Sequence, residues 1–208
     1  QFRLVMPKSS LTANEWEELL KILAEIERID YLVVSGSFPS NSPTNIFERL
    51  NHFAQSKKAK LIVDTSGESL KMAIQEPLYL IKPNLEEFGY LIGNNQLKIG
   101  DLKEAAKTFL EHSKCELLII SLGKKGAILC SKTETHHIKA PKVIVKSTVG
   151  AGDSMLAGVL YGLSLDKGLR ECLEYGIAFG TATTMQNGTA LCVPKDVEEL
   201  LPTIMNKR

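Results

Sequence analysis

The sequence has no block of like charge: 25 basic residues stand against 24 acidic ones, a formal net charge of +1, with neither a basic run nor an acidic tail. Nothing in that balance points to nucleic acid or a membrane surface as a partner. No apolar run reaches the ~18 residues of a membrane span, because a charge or a glycine interrupts every long hydrophobic stretch. Cysteine is sparse, and Cys115, Cys130, Cys172 and Cys192 lie far apart with no C-x-x-C pair. That usage fits a reduced, cytoplasmic compartment rather than a disulfide framework, and all four read as packing residues. Among the histidines, His52 and His112 fall on polar helix faces, and His136 and His137 alternate across a strand, so a shared metal is not expected. Internal repeats, linkers and low-complexity segments are also missing. The chain opens at Gln1, inside a stretch that reads as a strand, and the expectation is a fragment of a longer protein.

What is present suffices for a full core. The 208 residues are 44% hydrophobic, which suits one domain with a buried interior. Phe2, Leu4 and Met6 alternate with Arg3 and Val5 before Pro7, predicting a short strand. Thr12 and Glu15 form a capping box ahead of Trp16, Leu19, Leu20, Leu23 and Ile26, which predicts an amphipathic helix. Tyr31 to Val34 reads as a buried parallel strand ending at Ser35-Gly36-Ser37. The alternation repeats with a helix from Ser42-Pro43 through Phe53, a strand at Leu61-Ile62-Val63, the loop Asp64 to Gly67, and a short helix near Leu70 to Ile74. Tyr79-Leu80-Ile81 then runs into Lys82-Pro83-Asn84, a helix begins with Glu87, Phe88 and Leu91, and Asp101 with Glu104 caps another. Strands and helices alternating at this spacing predict an α/β fold with a mainly parallel sheet covered on both faces.

After Leu117 to Ser121 the pattern changes. Gly126 to Cys130, Thr135 to Ile138 and Val143 to Val145 read as strands separated by turns too short for helices. They predict an antiparallel or mixed edge near residues 126–145. A helix from Leu169 to about Met185 and another after Pro194 close the chain.

Chemistry concentrates in Ser147-Thr148-Val149-Gly150-Ala151-Gly152-Asp153, a tight loop opening into a helix whose apolar face starts at Met155 and Leu156. Glycines let backbone N–H groups approach an anion, and the positive end of the helix dipole points to the same place. Asp153 at the helix start is then a carboxylate within reach of a hydroxyl attacking phosphorus, or else an N-cap. Ligands of parallel sheets bind beyond the carboxyl ends of strands, where Ser35 to Ser37, Asp64 to Gly67, Lys82 to Asn84 and Ser121 to Gly126 all fall. Taken singly, Asn84 and Glu87 also suit a capping box, and Ser121 to Gly126 a strand-connecting turn.

Three motifs follow one another in order: Lys82-Pro83-Asn84-x-x-Glu87, Ser121-Leu122-Gly123-x-x-Gly126, and Thr148-Val149-Gly150-Ala151-Gly152-Asp153. Together they resemble the ribokinase-like sugar kinases of the phosphofructokinase-B type. Further segments carry the resemblance from end to end and bring it nearest to the ATP-dependent 6-phosphofructokinases: Gln1-Phe2-Arg3, Val63 to Glu68 and Asn187-Gly188-Thr189-Ala190-Leu191-Cys192. The 1-phosphofructokinases and tagatose-6-phosphate kinases share much of this.

The resemblance implies a three-layer α/β/α architecture, one ribokinase-like domain over residues 1–208, N-terminally incomplete and without the lid segment. It implies transfer of phosphate from ATP with Mg²⁺ to a sugar phosphate, and a homodimer for the intact enzyme. Asp153 would be the general base, with the amides of Gly150, Ala151 and Gly152 holding the transferred phosphoryl group. Asn84 and Glu87 would order Mg²⁺ through water, with Lys82 adding positive charge. Ser121, Gly123 and Gly126 would line the nucleotide site, and Arg3 and Ser37 would face the sugar phosphate. A monovalent cation, K⁺ in this family, would be held near Ser147, Val149, Thr183, Gln186, Gly188 and Ala190. Here the sequence departs from the family pattern, with Gln186 where Asn is expected and Ala190 where Arg is expected. The alternative class is a nucleotide-binding module that has lost catalysis.

Overall fold

The structure, a computed structural model, describes residues 10–39 and 41–206, so the strand expected at Phe2 to Met6 lies outside the described residues. It divides into two compact units: Gln1–Ile81 with Ser113–Cys115, and Lys82–His112 with Glu116–Arg208.

The first unit alternates α1 (Ala13–Glu25), β1 (Tyr31–Ser35), α2 (Ile46–Ser56), β2 (Lys60–Asp64), α3 (Gly67–Ala73) and β3 (Leu78–Ile81). Its strands pair in parallel, with Val33 beside Ile62 and Ile62 beside Leu80. Leu61, Ile62, Val63, Leu80 and Ile81 are buried, and Phe47, Leu50, Ala54 and Leu70 of the helices are buried with them. The Thr12–Glu15 capping box opens α1 as expected. Helix α1 is amphipathic as expected, with Trp16 buried and Leu19, Ile22 and Ile26 exposed. Two expectations need correction. Strand β1 is half-exposed rather than buried, because among the described residues it pairs with β2 alone. Helix α2 starts at Ile46 rather than at Ser42, whose hydroxyl donates to the Pro39 carbonyl at 2.7 Å in a preceding turn.

The second unit holds α4 (Leu85–Leu91), α5 (Leu102–His112), nearly all of β4 (Cys115–Ser121), β5 (Ala127–Cys130), β6 (Thr135–Ile138), α6 (Ala151–Ser164), α7 (Leu169–Thr184) and α8 (Pro194–Met205). Strands β4, β5 and β6 pair antiparallel, with Ile119 beside Leu129 and Leu129 beside His136. The expected third strand, Val143 to Val145, is instead irregular backbone. Lys146 donates its N–H to the Thr184 carbonyl at 2.8 Å, so the segment runs out toward the end of α7 rather than along β6. Helices α6 and α7 approach almost backbone to backbone: a methyl on Gly158 would stand 2.7 Å from the Tyr175 carbonyl, and one on Gly176 would stand 2.6 Å from Val159. Helix α7 also packs on β5 and β6, and so links α6 to these strands. The cysteines are free, and Cys115, Cys130 and Cys172 are buried. Burial, then the nearby Glu171 charge, pushes the Cys172 thiol up to about 11, as an unreactive packing residue requires.

Candidate functional site

Gly150 sets the geometry at the start of α6. It caps the helix with φ 75° and ψ −2°, a left-handed conformation that L side chains avoid, and a methyl there would stand 3.0 Å from Leu191. The first strong helical bond runs from Ser154 N–H to the Gly150 carbonyl at 2.8 Å. The amides of Ala151, Gly152 and Asp153 therefore precede the helical ladder, at the positive end of the dipole. Asp153 is the third residue of the helix and is exposed. Gly150 holds the cap position, so the N-cap alternative for Asp153 is removed.

Lys82 is buried, and its ammonium lies 3.3 Å from the position of a methyl on Gly152. That brings the first motif to the third across 70 residues of sequence. Asn84 and Glu87 form the capping box of α4: Glu87 N–H donates to Asn84 Oδ1, and Asn84 N–H to Glu87 Oε2, both at 2.9 Å. Ser121, at the end of β4, bridges in parallel to Asn84, and its N–H donates to the Pro83 carbonyl at 3.0 Å. The turn that follows depends on Gly126, with φ 90° and the Ile138 carbonyl only 1.8 Å from where a methyl would be.

A cavity of about 620 Å³ joins the second motif to the third. Ser121 and Gly123 line one side, and Thr148, Ala151 and Gly152 another. Its remaining wall is mostly apolar: Ala140, Pro141, Val143 and Val145 from the irregular segment, Met155 from α6, and Ile177, Gly180 and Thr181 from α7. These wall residues were missed in the sequence. Val143 and Val145 read as strand, and Ile177 and Thr181 lie inside the helix expected from Leu169 to about Met185. Gly126, Lys82, Asn84 and Glu87 lie outside the lining.

The residues expected around a monovalent cation carry hydrogen bonds of their own, and Gln186 N–H donates to the Thr183 carbonyl at 3.1 Å. Val149 N–H donates to Ser147 Oγ at 3.3 Å, and Ala190 N–H to the Asn187 carbonyl at 3.1 Å. Gln186 donates its amide to Asp196 of α8 at 2.5 Å, a reach its extra methylene permits. Gly188 is exposed, with φ 59°. Thr183 is wholly buried; its hydroxyl donates to Ser154 Oγ at 2.7 Å and accepts the Cys192 N–H at 3.1 Å. In the first unit, Ser37 is exposed beyond β1, after Gly36, whose N–H donates to the Asp64 carbonyl at 3.0 Å. Arg3 lies outside the described residues. His136 pairs with Glu134 at 2.5 Å, and His137 donates to the Lys125 carbonyl at 3.2 Å.

A family model for pfkB family carbohydrate kinases matches residues 3–196. The chain belongs to that family. The ATP-dependent 6-phosphofructokinase isozyme 2 of Escherichia coli (strain K12) is 33% identical over 201 residues, covering 96% of this chain and 65% of that protein. The 1-phosphofructokinase of Bacillus subtilis (strain 168) is 28% identical over 195 residues, covering 94% and 63%. Among solved structures, phosphofructokinase-2 from Escherichia coli in complex with potassium matches with a TM-score of 0.91 at 32% identity, covering 98% of this chain and 66% of that one. The chain thus spans 65% and 63% of the length of these two curated relatives. As a member of that family it has the ribokinase-like α/β fold expected from its motifs.

Proposed function

We propose that this pfkB family member works in an ATP-dependent kinase that phosphorylates a sugar phosphate, with fructose 6-phosphate as acceptor. The observation that carries the reading is the cavity between the Ser121–Gly123 turn and the first turn of α6. Its apolar wall suits a flat base, and its polar end is the first turn of α6, whose amides suit a triphosphate and beside which, at Gly152 and outside the lining, the Lys82 ammonium stands. The resemblance to 6-phosphofructokinase and 1-phosphofructokinase supports a phosphorylated sugar as acceptor.

In this proposal the acceptor hydroxyl attacks the γ-phosphorus in line, its proton passes to the Asp153 carboxylate, and ADP leaves. The amides of Gly150, Ala151 and Gly152 stabilise charge on the phosphoryl oxygens as the bond forms, and Lys82 adds to that field. Ser121, Gly123 and Gly126 shape the nucleotide side. Ser37 and Arg3 hold the phosphate already on the sugar. Action of both units as one ribokinase-like domain, and as a homodimer in the intact enzyme, belongs to the same proposal.

Bound Mg²⁺ would neutralise charge on the nucleotide phosphates. The residues fit it: a carboxylate has about four acceptor positions, the cap bond uses one on Glu87, and the rest can receive metal-bound water. A monovalent cation finds a suitable uncharged oxygen set in the carbonyls and hydroxyls of residues 147–149 and 183–190. The Thr183 hydroxyl accepts the Cys192 N–H and its carbonyl the Gln186 N–H, so each keeps one acceptor position for such a cation.

The test combines calorimetry with a non-hydrolysable ATP analogue on this chain and a coupled ADP-release assay on the intact enzyme. We expect the chain to bind the analogue. In the intact enzyme, kcat/KM should be highest for fructose 6-phosphate over fructose 1-phosphate, tagatose 6-phosphate and free fructose. A preference for the free sugar would sink the sugar-phosphate assignment, and no analogue binding would sink the nucleotide site.

A further inference from the structure

The first turn of α6 carries the proposed phosphate amides and Asp153, and its cap residue, Gly150, has no side chain with which to hold it. Neighbouring elements contribute to its placement. Ser154 directly follows Asp153, is 5% exposed, and its Oγ accepts the Thr183 hydroxyl at 2.7 Å. The same hydroxyl accepts the Cys192 N–H at 3.1 Å, so a single oxygen in α7 ties the α6 turn to the segment between α7 and α8. That segment in turn bears on the loop, since Leu191 lies 3.0 Å from the position of a methyl on Gly150. The Thr183 methyl also faces the cap glycine, 3.9 Å from that same position. Thr183 therefore stands at both ends of the turn, its methyl on the side of residue 150 and its hydroxyl bonded to residue 154.

We propose that Thr183 is the positioning residue of the phosphate-binding turn: its hydroxyl, wholly buried and bonded on both sides, fixes where the amides of residues 150–152 and the Asp153 carboxylate point. The inference rests on the reading of this turn as the phosphate site. It assigns the Thr183 side chain a positioning role of its own, whatever its remaining acceptor position holds, because its donor and one acceptor position already tie α6 to the segment after α7. Hydroxyl and methyl make separable contributions. Valine keeps the branched shape and loses the tie; serine keeps the tie and loses the methyl.

The experiment uses this chain with two probes, adenosine and the non-hydrolysable ATP analogue AMP-PNP with Mg²⁺. Both occupy the base cavity, and only the second reaches the turn. Losing one buried hydrogen bond that orients the phosphate amides should weaken AMP-PNP about 10-fold in Thr183→Val, with adenosine changed less than about 2-fold and Thr183→Ser close to the parent for both. A purely structural loss would weaken the two probes in parallel, and that result would overturn the proposal. So would a serine variant as weak as the valine one, which would assign the effect to the methyl. If Thr183→Val does not fold, Ser154→Ala removes the acceptor at the other end and should show the same separation of probes. A parent that binds AMP-PNP no tighter than adenosine would instead refute the phosphate site itself. Hydrogen exchange without ligand then still decides the tie: in Thr183→Val the amides of residues 151–154 should exchange faster than in the parent while those of β2 do not change. Unchanged exchange at 151–154 would overturn it.

Discussion

Helix α1 in the first unit and helices α6 and α7 in the second are held by different forces. Apart from Trp16, which stacks on Phe38, α1 is attached by polar groups: a paired Arg49–Glu17 contact at 2.6 and 2.8 Å, and Lys57 donating to the Ala24 carbonyl at 3.3 Å. Helices α6 and α7 meet through glycines, with no room for one added carbon. Charge, salt and pH should therefore act on the first region, and changes of volume on the second. The proposed phosphate chemistry sits on the tightly packed side, as a turn that must not shift by a fraction of an ångström requires.

The largest expected effect is chemical. In the intact enzyme Asp153→Asn should lower kcat roughly 10²–10⁴-fold with nucleotide binding retained, the usual worth of a positioned base. Ser37→Ala, in the other unit, should act mainly on KM for the sugar phosphate. Steady-state kinetics on both separates them, and an Asp153→Asn rate within a few-fold of the parent would remove the base.

Next comes volume. Gly126→Ala places a carbon against the Ile138 carbonyl at a left-handed backbone, and should cost ~3 kcal/mol or more in urea unfolding. Gly36→Ala, at φ 98° with no atom of the described residues within 4 Å of the added carbon, carries the backbone term alone, about 1–2 kcal/mol. Equal costs would break the contrast between the two units.

A subtler effect attaches to Glu87→Gln. Glutamine also serves at this position of a capping box, so stability should barely move, while the Mg²⁺ concentration for half-maximal rate should rise. An unchanged Mg²⁺ titration would leave Glu87 with the cap alone.

The smallest effect is on α1. The hydrogen bond from Arg49 holds the Glu17 carboxyl below its ordinary 4.5. A carboxylate lowered on folding adds stability above the unfolded value and loses it as pH falls through the folded one. Helix α1 should thus loosen below pH 4.5, and earlier at high salt. A pH titration of Glu17→Gln should lose part of that slope and keep the part due to Glu15, whose carboxyl the Thr12 hydrogen bonds also hold low; a slope unchanged from the parent would remove the assignment.

Much of this was legible because it is local. The Thr12–Glu15 and Asn84–Glu87 boxes and the turns at Gly126 and Gly150 each depend on a few neighbouring residues. Burial was less legible. Tyr31 to Val34 has the composition of an interior strand, but exposure depends on what lies alongside, which the strand's own residues do not encode. Val143 to Val145 has strand composition too, and only Thr184, some 40 residues away, takes up the N–H of Lys146 beside it. The cavity wall was hidden for the same reason, since Ile177 and Thr181 meet Pro141 only through the packing of α7.

The sequence contains a single tryptophan, and Trp16 lies in α1. Its indole is buried against Phe38, which itself contacts Phe47 with ring centroids 4.9 Å apart. Intrinsic tryptophan fluorescence is therefore a reporter confined to the first unit. A fluorescence melt follows the release of α1 and says nothing direct about the turn that begins α6, whereas far-ultraviolet circular dichroism is weighted toward the long helices α6 and α7. Transitions that coincide by the two methods would mean that the units unfold as one cooperative body, and transitions that separate would give each unit its own stability in one pair of scans.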